Sequence, residues 1–192
     1  SSSGVKLVEL GRHASGEYVV ERMASESFEK GWIVDGQIEK FDEVADAVRR
    51  VLLKSGTKTK QVALAMPQSS VITKKINLPG GLREEELELQ VEAEANQYIP
   101  FSLDEVSLDF CVIGPSPDAV GDVEVLIAAS RKDRVQDRQG LAEAAGLKPV
   151  VLDIESHASR LAIGRIIGAL PNEGRDALVA LFEIGADTAS LK

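Results

Sequence analysis

Two short runs of nearly unbroken apolar residues constrain this chain most: Gln61 to Met66 (Q-V-A-L-A-M) and Pro149 to Ile154 (P-V-V-L-D-I). Each is too short for a helix buried all round, and its composition suits a central strand covered on both faces. The sequence before the first run and after the second shares one character. The stretch between them has another. The chain therefore reads as one α/β lobe interrupted by an insert.

Ahead of the first run, Val5 to Leu10 (V-K-L-V-E-L) alternates as a half-buried strand does. Gly11 to Gly16 is a turn, Glu17 to Met23 a second strand, and Trp32 to Ile38 a third, with Asp35-Gly36 as a turn. Together they predict a three-strand meander. A helix follows, with Asp42 as N-cap, Val44, Val48, Val51 and Leu52 as its apolar stripe, and Gly56 just past its end.

The insert reads as strand, helix, strand, strand, helix, a small α+β unit. Val71 to Leu78 is its first strand, closed by Pro79-Gly80-Gly81. In the helix Arg83 to Tyr98, residues Leu87, Val91, Ala95 and Tyr98 share one face, and Pro100 stops it. Val106, Leu108, Phe110 and Val112 alternate on one strand, and Val123, Val125, Ile127 and Ala129 on the next. A helix from Asp133 to Ala145 completes it, with Gly146 just beyond.

Past the insert, the character of the first 67 residues returns. Ser156 to Leu170 is a helix expected to turn Ala158, Leu161, Ala162 and Ile166 inward. Pro171 to Asp176 is a linker and Leu178 to Ile184 (L-V-A-L-F-E-I) a buried strand. Gly185-Ala186-Asp187 turns, and Thr188 to Lys192 begins another strand. An unpaired half-hairpin is a poor place for a domain to stop, so the expectation is the front part of a longer protein. Ser1-Ser2-Ser3-Gly4 is either a tag remnant or the turn of a first hairpin.

Charge and composition exclude several functions. With 22 Lys+Arg against 31 Asp+Glu, the net charge is −9. That argues against a phosphate-backbone binder and against docking on an anionic membrane. No run approaches the ~18 apolar residues of a bilayer span, and the opening residues lack the basic-then-apolar order of a signal peptide. One cysteine, Cys111, permits no internal disulfide. Composition predicts a globular cytoplasmic domain and carries no chemistry of its own.

A weak repeat links the ends. S-S-S-G-V-K-L and G-A-D-T-A-S-L-K are both small-residue turns leading into a strand with a lysine. Together with the element order, this is the plan of a duplicated ribonuclease-H-like fold. Several stretches also resemble the PilM family of type IV pilus assembly proteins: S-S-S-G-V-K-L-V-E-L, V-I-T-K-K-I-N-L-P, E-L-Q-V-E-A-E-A-N-Q-Y-I-P-F, S-L-D-F-C-V-I-G, L-I-A-A-S-R-K-D and V-V-L-D-I-E-S-H-A. The E-A-N-Q-Y-I-P-F run is the most specific of them. The family is similar in architecture to the cell-division protein FtsA and, more distantly, to the type II secretion protein GspL.

The resemblance implies an actin-like lobe 1A carrying an inserted subdomain 1C. It assigns residues 1–67 and 148–171 to 1A, 68–147 to 1C and 172–192 to the start of a second lobe. It implies a cytoplasmic adaptor, held peripherally at the inner membrane, that serves pilus biogenesis and twitching motility. The adaptor captures the N-terminal cytoplasmic tail of PilN in a groove between 1A and 1C, connects to the PilN/PilO complex and the pilus motor ATPases, and binds ATP with magnesium in the intact protein. This chain alone is expected to hold little or no ATP. Two alternatives stay open: a GspL-like scaffold without nucleotide chemistry, and a kinase or ATPase of the actin superfamily.

Candidate sites follow from the same resemblance. Ser1, Ser2, Ser3 and Lys6 match a first phosphate loop, and Gly185 with Thr188 a second. Hydroxyls, backbone N–H groups and a lysine suit phosphate oxygens; two ordinary hairpin turns are the other reading. Glu183 stands where the family usually has Asp, which puts metal-water positioning there in doubt. Glu155, at a strand-to-helix junction, matches the carboxylate that orients the attacking water in actin-like ATPases. It is equally suited to a first helical turn, where the dipole favours an acid. Tyr98, Ile99, Pro100 and Phe101 are either a peptide anchor or a core plug. The glutamates of the first half of the 83–98 helix read as a solvated face, and no calcium-loop pattern is present. His13 and His157 lack metal-ligand spacing, and there is no Walker loop, G-x-S-x-G or C-x-x-C.

Overall fold

The computed structural model describes residues 2–186 and 189–191. They form two compact units, residues 1–67 with 137–192, and residues 68–136. The architecture is mixed α/β.

The first unit opens on a long antiparallel ribbon, β1 (Gly4–Arg12) with β2 (Tyr18–Ser27). Pairing runs from Gly4↔Ser27 to Arg12↔Tyr18, with a bulge at Glu9/Leu10. The third segment does not extend this meander. Ile33–Val34 (β3) and Gln37–Ile38 (β4) form their own two-stranded hairpin. Asp35 and Gly36 both have positive φ, 50° and 78°, a tight turn that folds the segment back on itself.

Helix α1 (Phe41–Ser55) follows. Asp42 is not its N-cap: Lys40 takes that place without a side-chain cap, and Asp42 and Glu43 sit in the first turn, where the dipole favours them. Gly56 closes it in the left-handed conformation, its N–H donating to the Leu52 carbonyl at 3.1 Å. Val44, Ala45 and Leu141 form a small core with Ile33, flanked by Phe28 and Trp32, whose rings lie 5.7 Å apart.

The two apolar runs pair with each other. β5 (Gln61–Met66) and β9 (Lys148–Ile154) are parallel, from Gln61↔Lys148 to Met66↔Ile154. Parallel neighbours require a long crossover, and that crossover contains the whole second unit.

The second unit is a three-stranded antiparallel sheet of order β6-β8-β7: β6 (Ile72–Pro79), β7 (Val106–Pro115) and β8 (Asp122–Arg131). Helix α2 (Glu84–Tyr98) lies between β6 and β7 in sequence. The core joins Leu87, Val91, Ala95 and Ile99 to Ile76, Leu78, Val106, Val125, Ile127 and Ala129. The alternation of β8 explains the last three. At the helix start, Glu86 accepts from the Arg83 backbone N–H at 3.0 Å and from its guanidinium at 2.9 Å. Helix α3 (Lys132–Ala144) carries the chain from the second unit back into the first.

Helix α4 (Glu155–Ile167) corrects the sequence reading. The expected inward face points out: Leu161 is 73% and Ile166 67% exposed, and Ala158 and Ala162 are exposed too. The half-covered face is Ser156, His157, Ser159, Ile163 and Ile167. Periodicity locates an apolar stripe but not what covers it. The expected buried strand 178–184 is reduced to β10 (Phe182–Ile184), exposed throughout and, among the described residues, paired with β11 (Ala189–Leu191).

Candidate functional site

The end of α2 brings two exposed aromatic side chains together with a proline. Pro100 disfavours the helical conformation of the residue before it. Ile99 accordingly turns to φ −92°, ψ 120°, while its N–H still donates to the Ala95 carbonyl at 2.9 Å. Ile99 lies four residues past Ala95, one step further along the Leu87, Val91, Ala95 stripe, and takes the place expected of Tyr98. Ile99, 7% exposed, completes the core stripe, and Tyr98, 43% exposed, leaves it. Ile99 therefore drops out of the anchor set. Tyr98, Pro100 and Phe101 remain accessible, Phe101 at 38%.

Both rings carry a cation on one face. The Lys74 ammonium lies 4.8 Å from the Tyr98 ring centre, and the Arg131 guanidinium 5.7 Å from that of Phe101. Contacts of this kind contribute about 0.5–1 kcal/mol at exposed sites. Arg131 is itself oriented by Asp133, its Nε and Nη2 donating to the two carboxylate oxygens at 3.2 and 2.8 Å. Sequence reasoning misses Lys74 and Arg131. Nothing local marks them, since strand register and tertiary packing bring them to the rings.

After Phe101 the chain makes a short 3₁₀ turn, Leu103–Glu105. Between it and the outer face of α2 lies an open depression of about 450 Å³, lined by Leu89, Glu92, Ala93, Asn96, Ser102, Leu103 and Asp104. The Ser102 hydroxyl bonds the Asp104 carboxylate and holds it below its ordinary value; Lys132 adds to the effect. The Lys132 ammonium also donates to the Asp104 carbonyl at 2.6 Å.

The other sequence-predicted residues lie in the first unit. Ser1 and Thr188 fall outside the described residues. Ser2 is half-buried, and Ser3 is exposed, its carbonyl accepting from the Phe28 N–H at 2.9 Å. Lys6 is exposed on β1, in register with Ser25. Gly185 is exposed just after β10.

Glu155 is the first residue of α4, as the sequence places it, and is exposed. Its charge acts on Arg138, whose Nη2 donates to the Gly36 carbonyl at 3.1 Å. Burial pulls the Arg138 guanidinium below its ordinary value, against Glu155 and Asp137. The neighbouring Asp153 accepts from the Ile154 N–H at 2.7 Å, a local cap at the strand end. Among the described residues no cluster of His, Cys, Asp or Glu could hold a metal ion, and no helix is long and apolar enough to cross a membrane.

The chain is similar to a chain of the solved PilM-PilN type IV pilus biogenesis complex, at 29% identity and a TM-score of 0.84. That likeness covers 99% of this chain and 55% of the other, so this chain spans about half of its relative's length. The cytoplasmic domain of EpsL, an inner-membrane component of the type II secretion system of Vibrio cholerae, matches at 15% identity and a TM-score of 0.47, over 80% of this chain and 53% of that one. The family model described as type IV pilus assembly protein PilM matches residues 1–192. The chain belongs to the type IV pilus assembly protein PilM family.

Proposed function

We propose that this chain is part of a cytoplasmic, actin-like adaptor of the type IV pilus inner-membrane complex, and that it holds the N-terminal cytoplasmic tail of a PilN-type partner. The observation that carries the reading is the likeness, over 99% of the chain, to a chain solved in a PilM-PilN complex. The exposed Tyr98, Pro100 and Phe101 support it by offering apolar anchors beside an ordered helix end. Rigid aromatics of this kind dominate peptide affinity because they bury area at low entropic cost. About 40% of a Phe side chain is on the order of 75 Å², and burying it stabilises a complex by about 2 kcal/mol. The tail would tie the protein to PilN/PilO and so to the membrane face, within reach of the pilus motor ATPases.

Nucleotide binding is the second half of the reading. The family resemblance assigns the phosphates of ATP to the hydroxyls of Ser1, Ser2 and Ser3, the Lys6 ammonium, and Gly185 with Thr188, residue types that would suit phosphate oxygens. Such a nucleotide supplies a phosphoanhydride and a magnesium-bound charge. Glu155 would orient water, with Arg138 beside it. We assign useful ATP affinity to the intact protein, not to this chain.

Calorimetry tests both halves. A synthetic PilN N-terminal peptide gives saturable heat with this chain, and Mg-ATP gives little. Tight, magnesium-dependent ATP binding by this chain overturns the second half, and absence of peptide binding by the intact protein overturns the first.

A further inference from the structure

We infer that the starts of β5 and β9, in the first unit, form a docking surface for an acidic segment of a protein partner. The surface goes beyond the tail and nucleotide readings and uses none of their residues. The sequence supplies the charge: K-S-G-T-K-T-K runs from Lys54 to Lys60, and Lys148 opens β9. The fold then joins the two stretches. The Lys148 N–H donates to the Lys60 carbonyl at 2.7 Å, and Lys148 stands in register with Gln61. Lys58, Lys60 and Lys148 are all exposed, and among the described residues none of the three makes an ion pair.

The nearby acids are committed to other cations. Glu26 holds Arg50 and Lys54, and Asp46 holds Arg49. Glu9 holds Arg22 and accepts from the Thr59 hydroxyl at 2.7 Å. One exposed lysine is ordinary. Three unpaired ones at one end of two bonded strands, in a chain of net charge −9, are a local reversal of sign. Complementarity to such a patch sets association rate and specificity more than raw affinity. An anionic bilayer is the poorer complement, because a broad surface meets the negative charge of the whole chain. A short segment within about 10 Å of the lysines feels mainly them. The place also leaves the other candidate residues free. Met66 pairs with Ile154 at the far ends of the same strands, roughly 17 Å away at 3.3 Å per residue, and Glu155 follows there.

Fluorescein-labelled hexaglutamate is the probe, read by polarisation against the whole 192-residue chain. Hexaglycine with the same dye is its counterpart, and vesicles of phosphatidylcholine with phosphatidylglycerol present lipid instead. Hexaglutamate is expected to bind saturably and to weaken as salt rises from about 50 to 300 mM. Lys148→Glu, and Lys58→Glu together with Lys60→Glu, are each expected to weaken it at least about fivefold. Lys30→Glu, in the loop after β2, changes the net charge as much as Lys148→Glu does and is expected to leave binding unchanged. All four side chains are exposed, so melting temperatures stay put. Absence of hexaglutamate binding overturns the proposal, as does equal binding of hexaglycine or unchanged binding by both patch variants. An equal loss with Lys30→Glu overturns it too, by revealing a response to overall charge. Vesicle binding that the patch variants abolish would reassign the lysines to a lipid surface and overturn the protein partner.

Discussion

Replacing Ile99 and Tyr98 one at a time separates the two readings of the α2 terminus. Ile99 is 7% exposed and belongs to the core of the second unit. Truncation to alanine removes three carbons, each about 0.8 kcal/mol of transfer. A residual cavity among Ala95, Val106 and their neighbours adds to this, so Ile99→Ala is expected to cost about 2–4 kcal/mol. Tyr98 is 43% exposed, and its defined partner is the Lys74 ammonium at 4.8 Å. Tyr98→Ala is expected to cost about 1 kcal/mol or less. Urea unfolding followed by far-ultraviolet circular dichroism measures both, with an unchanged slope certifying that stability alone moved. Equal losses, or a larger loss at Tyr98, would refute the assignment of Ile99 to the core.

Phe101→Ala is expected to raise the dissociation constant for a PilN tail peptide by about tenfold or more, while Phe101→Leu keeps most of the affinity; calorimetry reads both. Gly80 and Gly164 should respond in opposite senses. A Cβ at Gly80 would lie 2.5 Å from the Gly121 carbonyl oxygen, which accepts the Gly80 N–H at 2.9 Å, so Gly80→Ala costs about 1–3 kcal/mol in thermal unfolding. Gly164, inside α4 with open space around it, gains about 0.5–1 kcal/mol as alanine. Glu26 gives a pH signature. Lys54 and Arg50 hold its carboxyl below its ordinary 4.5, so its contribution is complete above that pH and is lost as pH falls through the depressed folded value. Glu26→Gln should therefore flatten the acid side of the stability curve and leave its shape near neutrality alone.

Local signals made much of the fold legible. The alternation of Val123, Val125, Ile127 and Ala129 marks β8, and three of the four are buried. Gly56 ends α1 because its left-handed conformation needs glycine. The two apolar runs are strands, the parallel pair β5 and β9, but they are not covered on both faces as expected: Val150 and Val151 are 51% and 52% exposed. What failed needed information from outside the segment. A helical period offers the place after Ala95 to Tyr98 at three residues on or to Ile99 at four, and burial gives it to Ile99. The stripe of α4 is visible in the sequence and wrongly aimed there, because amphipathicity says which face is apolar and not what lies against it. Phe182 has strand propensity and forms a strand, but it is 69% exposed where the sequence predicts burial. At the candidate site, Pro100 and Phe101 can be read from their order in the chain. Lys74 and Arg131 cannot, since they reach the rings through sheet register and tertiary packing, and the depression beside Leu89 exists only once the 3₁₀ turn is placed.

The adaptor reading stands or falls on one titration, a synthetic PilN N-terminal cytoplasmic peptide added to this chain and, in parallel, to the intact protein, with heat as the readout. The account predicts saturable binding that weakens when Phe101 is alanine. Silence from both proteins would contradict it.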